Sequence, residues 1–186
     1  QPGAHPLHWA GAYYIQEPSA MAAVSALHPS PGDRVLDLCA APGGKACQLA
    51  DELAGEGILV ANDPVFSRAV ELSRNIERMG IRNALVTANQ PEQLAEKFPC
   101  YFDKILVDAP CSGEGMFRKD PLARSQWTPA LPAFCAERQG RILDSAAMML
   151  RPGGKIVYST CTFNLVENEN VIEGFLMRCP EFCLLP

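Results

Sequence analysis

The chain has 186 residues, 48% apolar and 20% charged, which is enough to close one core and ordinary for a soluble globular domain. Its net charge of −5 excludes a broad basic face, so lysine and arginine replacing phosphate counterions cannot by themselves account for tight nucleic-acid binding. No apolar run approaches the ~20 residues of a membrane span, and the N-terminal QPGAHPLHWAGAYY lacks the basic start and apolar stretch of a signal peptide, so the reading is a cytoplasmic monomer with no membrane contact.

Residues 1–30 read as a leader, too short to be a domain, with Tyr13-Tyr14, then Glu17-Pro18-Ser19 ahead of an apolar helix from Ala20 to Leu27 that packs on the core. From residue 34 apolar runs and turn signals alternate. Strands are predicted at RVLDL (34–38), GILVAN (57–62), ALVTA (84–88), DKILVDA (103–109) and GKIVYST (154–160), each short and nearly continuous in Val, Ile and Leu, as strands covered on both faces are. Helices are predicted from Lys45 to Leu53, Val65 to Met79, Glu92 to Phe98, Phe134 to Leu150 and Leu165 to Met177. Asn164 with Glu167 fits a capping box, Gly80 follows the second of these helices, and Arg151-Pro152-Gly153-Gly154 stops the fourth. The sum is an α/β, doubly wound, mostly parallel and Rossmann-like domain over residues 31–186, with its ligand crevice at the carboxyl ends of the strands. Phe182 to Leu185 looks like a further strand cut off at Pro186, which suggests a truncated C-terminal end.

The stretch VLDLCAAPGGKACQLA (35–50) runs strand, tight loop, helix, with Gly43-Gly44 where backbone must approach a ligand closely. It is not the dinucleotide fingerprint, so no pyrophosphate is implied and the smaller nucleoside cofactor S-adenosylmethionine fits better. The binding loop is Cys39, Ala40, Ala41, Pro42, Gly43, Gly44 and Lys45, with a carboxylate expected against the amides that open the helix. Asp63, closing the second strand, is placed to accept hydrogen bonds from both ribose hydroxyls; alone, it would equally suit a turn that caps the next helix.

The fourth strand ends VDAPCSGEGMFRKD (107–120) and the fifth VYSTCTFN (157–164), so Cys111 and Cys161 arrive in one crevice beside Pro, Ser, Thr and Gly rather than inside an apolar stripe. The cysteines are read as mostly free thiols, and nothing among them has zinc spacing, so no metal is expected.

With DLCAAPGGK, DAPCSG and STCT in this order, the chain resembles the Sun-type, or nucleolar-antigen, family of RNA cytosine-5 methyltransferases over nearly its whole length. EPSAM and GEGMFRKD bring it closest to the bacterial ribosomal-RNA enzymes of the RsmF type. The resemblance implies a class I S-adenosylmethionine-dependent fold, RNA (16S ribosomal RNA first, transfer RNA as the alternative) as partner, Cys161 as nucleophile, Cys111 in product release, and Asp108 between cofactor and base. The chemistry agrees. Carbon 5 of cytosine attacks a methyl group only after a thiolate has added to carbon 6, and a second group must then take the carbon 5 proton. Asp108 would hydrogen-bond the pyrimidine edge or orient the cofactor. The chain departs from many relatives after the third strand, where Thr87-Ala88-Asn89-Gln90 stands in place of an acid; Asn89, or Gln90 one position on, would meet the adenine.

Phe117 offers a stacking surface and Arg118 and Lys119 offer phosphate contacts; RNA contact is favoured over an ordinary solvated loop because the stretch follows Cys111 directly. Arg68, Arg74 and Arg78 read as a solvated or packing face rather than a binding stripe, Trp9, Tyr13 and Tyr14 as cover for the edge of the core, and Met148 with Met149 as a buried helix face. An exocyclic-amine methyltransferase would share the cofactor loop but leave the second cysteine unexplained. A noncatalytic RNA-binding assembly factor of the same fold has no need for either cysteine, and a thiol redox protein would want C-x-x-C.

Overall fold

The computed structural model describes residues 1–119 and 121–185; Asp120 and Pro186 lie outside the described residues. Five strands, β1 (Arg34–Asp37), β2 (Ile58–Asn62), β3 (Ala84–Thr87), β4 (Phe102–Asp108) and β5 (Leu150–Ser159), form one sheet in the order β3-β2-β1-β4-β5. All four pairings are parallel. Strand order reverses between β1 and β4, and a ligand crevice belongs at such a switch point. The helices are α1 (Pro6–Trp9), α2 (Pro18–Leu27), α3 (Gly44–Glu52), α4 (Phe66–Arg78), α5 (Pro91–Lys97), α6 (Pro121–Gln126), α7 (Leu131–Met149) and α8 (Glu169–Arg178), with short 3-10 turns at Pro2–Ala4, Glu114–Met116 and Leu165–Glu167.

Side chains along a strand alternate between faces, and the core divides accordingly. Val35, Leu59, Ala61 and Leu106 pack with Leu27, Leu49 and Leu72 from α2, α3 and α4. Leu36, Val60, Ile105 and Val107 pack with Leu94, Leu143 and Phe175 from α5, α7 and α8. Both faces are thus covered, and the sheet is doubly wound as expected.

Five local expectations need correction. β5 begins at Leu150 rather than Gly154, because Leu150 pairs with Phe102 and the Arg151–Gly154 segment is taken up as an irregularity before Lys155 pairs with Lys104. Phe182 to Leu185 form no strand; Phe182 instead packs edge-on against Phe175, ring centroids 5.1 Å apart. Met149 is fully buried but Met148 is 60% exposed, and Trp9 is 70% exposed rather than covering the core. The capping box at Asn164 is only half made: Asn164 accepts from the Val166 amide, whereas the Glu167 carboxylate turns inward to other work.

Candidate active site

All of the residues singled out above lie at the carboxyl ends of strands: Cys39 to Lys45 after β1, Asp63 after β2, Asn89 after β3, Asp108 and Cys111 at the end of β4, and Cys161 after β5. A cavity of about 230 Å³ opens at the ends of β1 and β4. Cys39, Ala40, Ala41, Pro42, Gly44, Lys45 and Asp108 line it, together with Asp37 and a wall contributed by Tyr14, Ile15, Gln16, Glu17 and Ala20.

The loop that floors the cavity is held from outside. Gly43 has φ +116°, a conformation open to glycine and costly for other residues, and from there α3 begins. Two side chains of α4 hold the loop's carbonyls: Arg68 donates to Ala41 O at 3.0 Å and Asn75 to Pro42 O at 2.9 Å. Arg68 and Arg78 of α4 are therefore packing residues, with Arg78 bonded to His8 O at 2.8 Å in the N-terminal segment.

Asp37, missed in the sequence, is 1% exposed, and neither carboxylate oxygen has a side-chain hydrogen-bond partner among the described residues. Burial pushes its pKa up to about 8, Asp108 adds to the rise, and Lys45 opposes it. The available signal was an acid inside an otherwise apolar central strand. Asp108 is fixed from both sides: its Oδ2 accepts from Lys45 Nζ at 2.6 Å and its Oδ1 from Ser159 Oγ at 2.8 Å.

Cys111 and Cys161 meet with their sulfurs 3.1 Å apart. The hydrogen bond from Cys111 is the main influence that lowers the Cys161 pKa to about 7; burial and the Asp108 charge oppose it, while the Cys161 backbone and Lys45 assist. Cys111 moves the opposite way, held protonated by its bond to Cys161 and by burial. One thiol is thus poised as a thiolate and its neighbour as a proton carrier. Alkylation of Cys161 by iodoacetamide should rise about tenfold per pH unit up to about pH 7 and level off above it, because the thiolate is the nucleophile. In Cys111→Ala the plateau should move up toward the ordinary thiol range of ~8.5, and peptide-resolved mass spectrometry showing the same midpoint in both proteins would contradict the assigned donor.

Behind the sulfurs a buried network holds the two loops together. Glu167 is fully buried, and its Oε2 accepts from the Ser112 amide and from Gln139 Nε2, each at 2.9 Å. Gln139 also donates to Pro110 O at 3.0 Å, Ser112 and Thr162 share a hydroxyl bond of 3.1 Å, and the Gly115 amide donates to Cys161 O at 2.9 Å. Glu167 leaves the capping box unfinished because its Oε2 is taken by these two donors across the fold, while its Oε1 is buried without a hydrogen-bond partner among the described residues.

Asp63 and Asn89 stand apart from the cavity lining. Asp63 is 1% exposed; its Oδ1 accepts from the Val65 amide at 3.0 Å and its Oδ2 lies 3.3 Å from Arg68, so the turn-forming alternative is realised locally. Asn62, also unassigned beforehand, fastens the strand ends: it donates to Leu38 O and Asn89 O and accepts from the Asn89 amide and Thr87 Oγ1. Gln90 is occupied in a capping box with Gln93, which leaves Asn89 as the freer amide. Lys119 pairs with Glu17 of the leader, and Phe117 packs edge-on against Trp127 at 6.3 Å.

The model of the 16S rRNA methyltransferase RsmB/F family matches residues 24–186. The chain belongs to this family. Among curated relatives of this RsmB/F chain, the ribosomal RNA small subunit methyltransferases F of Serratia proteamaculans and Klebsiella pneumoniae are 45% and 44% identical, over 91% and 94% of the chain. The chain spans only 36% and 37% of their lengths. NSun6 from Pyrococcus horikoshii, solved with SFG, superposes with a TM-score of 0.86 at 30% identity, covering 95% of this chain and 45% of that one. A methyltransferase homologue from the same organism gives 0.80 at 36% identity, covering 95% and 55%. An S-adenosylmethionine-dependent O-methyltransferase from Thermotoga maritima, at 17% identity and a TM-score of 0.60 over 91% of this chain and 52% of its own, shares the fold alone. The RsmB/F chain therefore has the class I methyltransferase fold.

Proposed function

We propose that this chain methylates carbon 5 of cytosine in RNA, with 16S ribosomal RNA as the substrate and S-adenosylmethionine as methyl donor. The observation that carries the reading is the pair of sulfurs 3.1 Å apart at the ends of β4 and β5, next to the Asp108–Lys45 pair and the cavity. The names of the curated relatives favour ribosomal RNA over transfer RNA, and SFG, the group in the NSun6 structure, is an analogue of S-adenosylmethionine.

The lining suits that cofactor. The small residues Ala40, Ala41 and Gly44 leave room against backbone, and the unpartnered Asp37 oxygens supply an acceptor for an ammonium group. Bound there, S-adenosylmethionine supplies an electrophilic methyl group. Cys39 to Lys45 would hold its methionine end, Asp63 its ribose and Asn89 its adenine. Cys161 adds as thiolate to carbon 6 of the cytosine, which makes carbon 5 nucleophilic. Asp108, positioned by Lys45 and Ser159, accepts a hydrogen bond from the pyrimidine edge or orients the cofactor. Cys111 is a thiol while it supports the Cys161 thiolate, so it gives that proton up to solvent before it takes the one on carbon 5; the C–H electron pair then forms the 5,6 double bond as the bond from carbon 6 to sulfur breaks and Cys161 leaves as thiolate. Residues 1–30 act as a leader on the catalytic domain of residues 31–186. The reading makes the protein a cytoplasmic monomer; among the described residues no helix is long and apolar enough to cross a membrane.

Incubation with labelled S-adenosylmethionine and separate pools of ribosomal and transfer RNA, followed by digestion to nucleosides, should give 5-methylcytidine from the ribosomal pool. Label in any other nucleoside would sink the proposal. Asp63→Ala should weaken S-adenosylmethionine binding by ~1.5–3 kcal/mol, the cost of one charge-assisted hydrogen bond. Calorimetry showing full affinity in a folded variant would confine Asp63 to its turn.

A further inference from the structure

Phe163 stands two residues beyond Cys161 and is 82% exposed, although a phenylalanine ring is among the costlier groups to leave in water. Its position is nevertheless fixed. The Phe163 amide donates to Glu114 Oε2 at 3.3 Å, and the Asn164 side chain donates to Glu114 Oε1 at 3.4 Å. The ring tip lies over Gly115: a Cβ there would be 3.7 Å from Phe163 Cζ and only 2.6 Å from Cys161 O. The loop after Cys111 therefore seats the ring beside the nucleophile, and the seat needs a residue with no side chain.

We propose that Phe163 is a stacking platform for the nucleobase adjacent to the target cytosine, which deepens the reading of the chain as an RNA cytosine methyltransferase and rests on it. The target base itself must enter the crevice so that carbon 6 meets Cys161, and so it cannot lie on the outer rim. Two residues of chain separate the Cα atoms by at most ~7 Å, and the ring tip and Cys161 O both lie close to Gly115, so the ring stands about one nucleotide spacing from the nucleophile's loop. Drawing one base out of a stack leaves its neighbour with an uncovered face, and an aromatic ring covers that face whatever the base. A chain with a net charge of −5 also gains from a contact that does not depend on phosphate neutralisation. Phe117, the aromatic suggested for stacking by the sequence, is engaged with Trp127, which leaves Phe163 as the ring presented beside the thiols.

The test uses a single-stranded RNA oligonucleotide with one cytosine and 2-aminopurine, whose fluorescence is quenched by stacking, on either side of it in turn. Binding to the wild-type chain should quench the probe at one of the two positions. Phe163→Ala and Phe163→Leu should lose that quench and bind about tenfold more weakly, while Phe163→Tyr retains both. The position is exposed, so none of these substitutions removes core packing. In methylation assays the loss should appear in KM for RNA with kcat little changed. Equal quench in the wild type and Phe163→Ala, no quench in either, or full recovery with Phe163→Leu would overturn the proposal; the last would make the residue a nonspecific apolar contact. A wild-type chain that shows the Phe163-dependent quench but forms no 5-methylcytidine would leave the platform standing and overturn the proposed activity. A chain that methylates equally with and without the ring would do the reverse.

Discussion

Cys161→Ala should lower methylation by at least ~10⁴-fold and form no covalent RNA adduct, because the thiol that remains nearby, Cys111, has its pKa raised and offers little thiolate to add to carbon 6. Cys111→Ala should behave differently. The two sulfurs are 3.1 Å apart, and carbons 5 and 6 are bonded neighbours, so a base attached to Cys161 through carbon 6 places carbon 5 within reach of Cys111. Removing Cys111 leaves addition and methyl transfer possible but takes away the group beside the carbon 5 proton. Protein and RNA should then accumulate joined through Cys161, as a retarded band on a denaturing gel with labelled RNA that depends on S-adenosylmethionine. The addition itself should slow somewhat at neutral pH, because the bond that keeps the Cys161 thiol near 7 is gone. An adduct in Cys161→Ala and none in Cys111→Ala would reverse the two roles, and methylation surviving both substitutions would dispose of the covalent mechanism.

Gly115→Ala should have the next largest effect, on the order of 10²-fold in kcat, without touching either thiol. The added methyl would lie 2.6 Å from Cys161 O and 3.5 Å from its carbonyl carbon, and both are backbone atoms that cannot swing aside. The loops must part. The bond from the Gly115 amide to Cys161 O lengthens from 2.9 Å, and the spacing of the sulfurs changes with it. The site is on the surface, so the melting temperature should stay within about 4 °C of wild type. Unchanged kcat in this variant would mean that the register of the two cysteine loops is not what sets the rate.

These effects arise from residues the sequence revealed to different degrees. The strand ends were legible because a central parallel strand has a short, continuous apolar run and the residues after it are turn formers, so DLCAAPGGK, DAPCSG and STCT could be placed in one crevice. The contacts that hold the loops were not legible. Glu167 carries a local signature, three residues after Asn164 ahead of a helix, that competes with its actual partner 55 positions away at Ser112. Asn62 was legible only as the end of the second strand, because its bonds run to Leu38, Thr87 and Asn89, neighbours only across the sheet. Leu150 was assigned to a helix that stops at Arg151-Pro152, since its pairing with Phe102 depends on register and not on local preference. Periodicity reports which face a residue occupies, whereas a polar partner across the fold leaves no periodic trace.

The wall supplied by the leader bears on how the protein could be divided or recombined. The sheet begins at Arg34 and the family match at residue 24, yet Tyr14, Ile15, Gln16 and Glu17 close one side of the cavity, and Glu17 is tied across to Lys119 in the loop after Cys111. Tyr14 also touches the floor, since a Cβ at Gly44 would stand 3.1 Å from its ring. A graft that moved the five strands and their loops into another scaffold would carry every reactive group and still deliver a cavity open on one side. Conversely, exchanging only residues 12–20 between two relatives would change the shape presented to the cofactor while leaving the catalytic atoms in place. The portable unit of function is therefore larger than the portable unit of fold, and its extra piece is the part with the least regular structure.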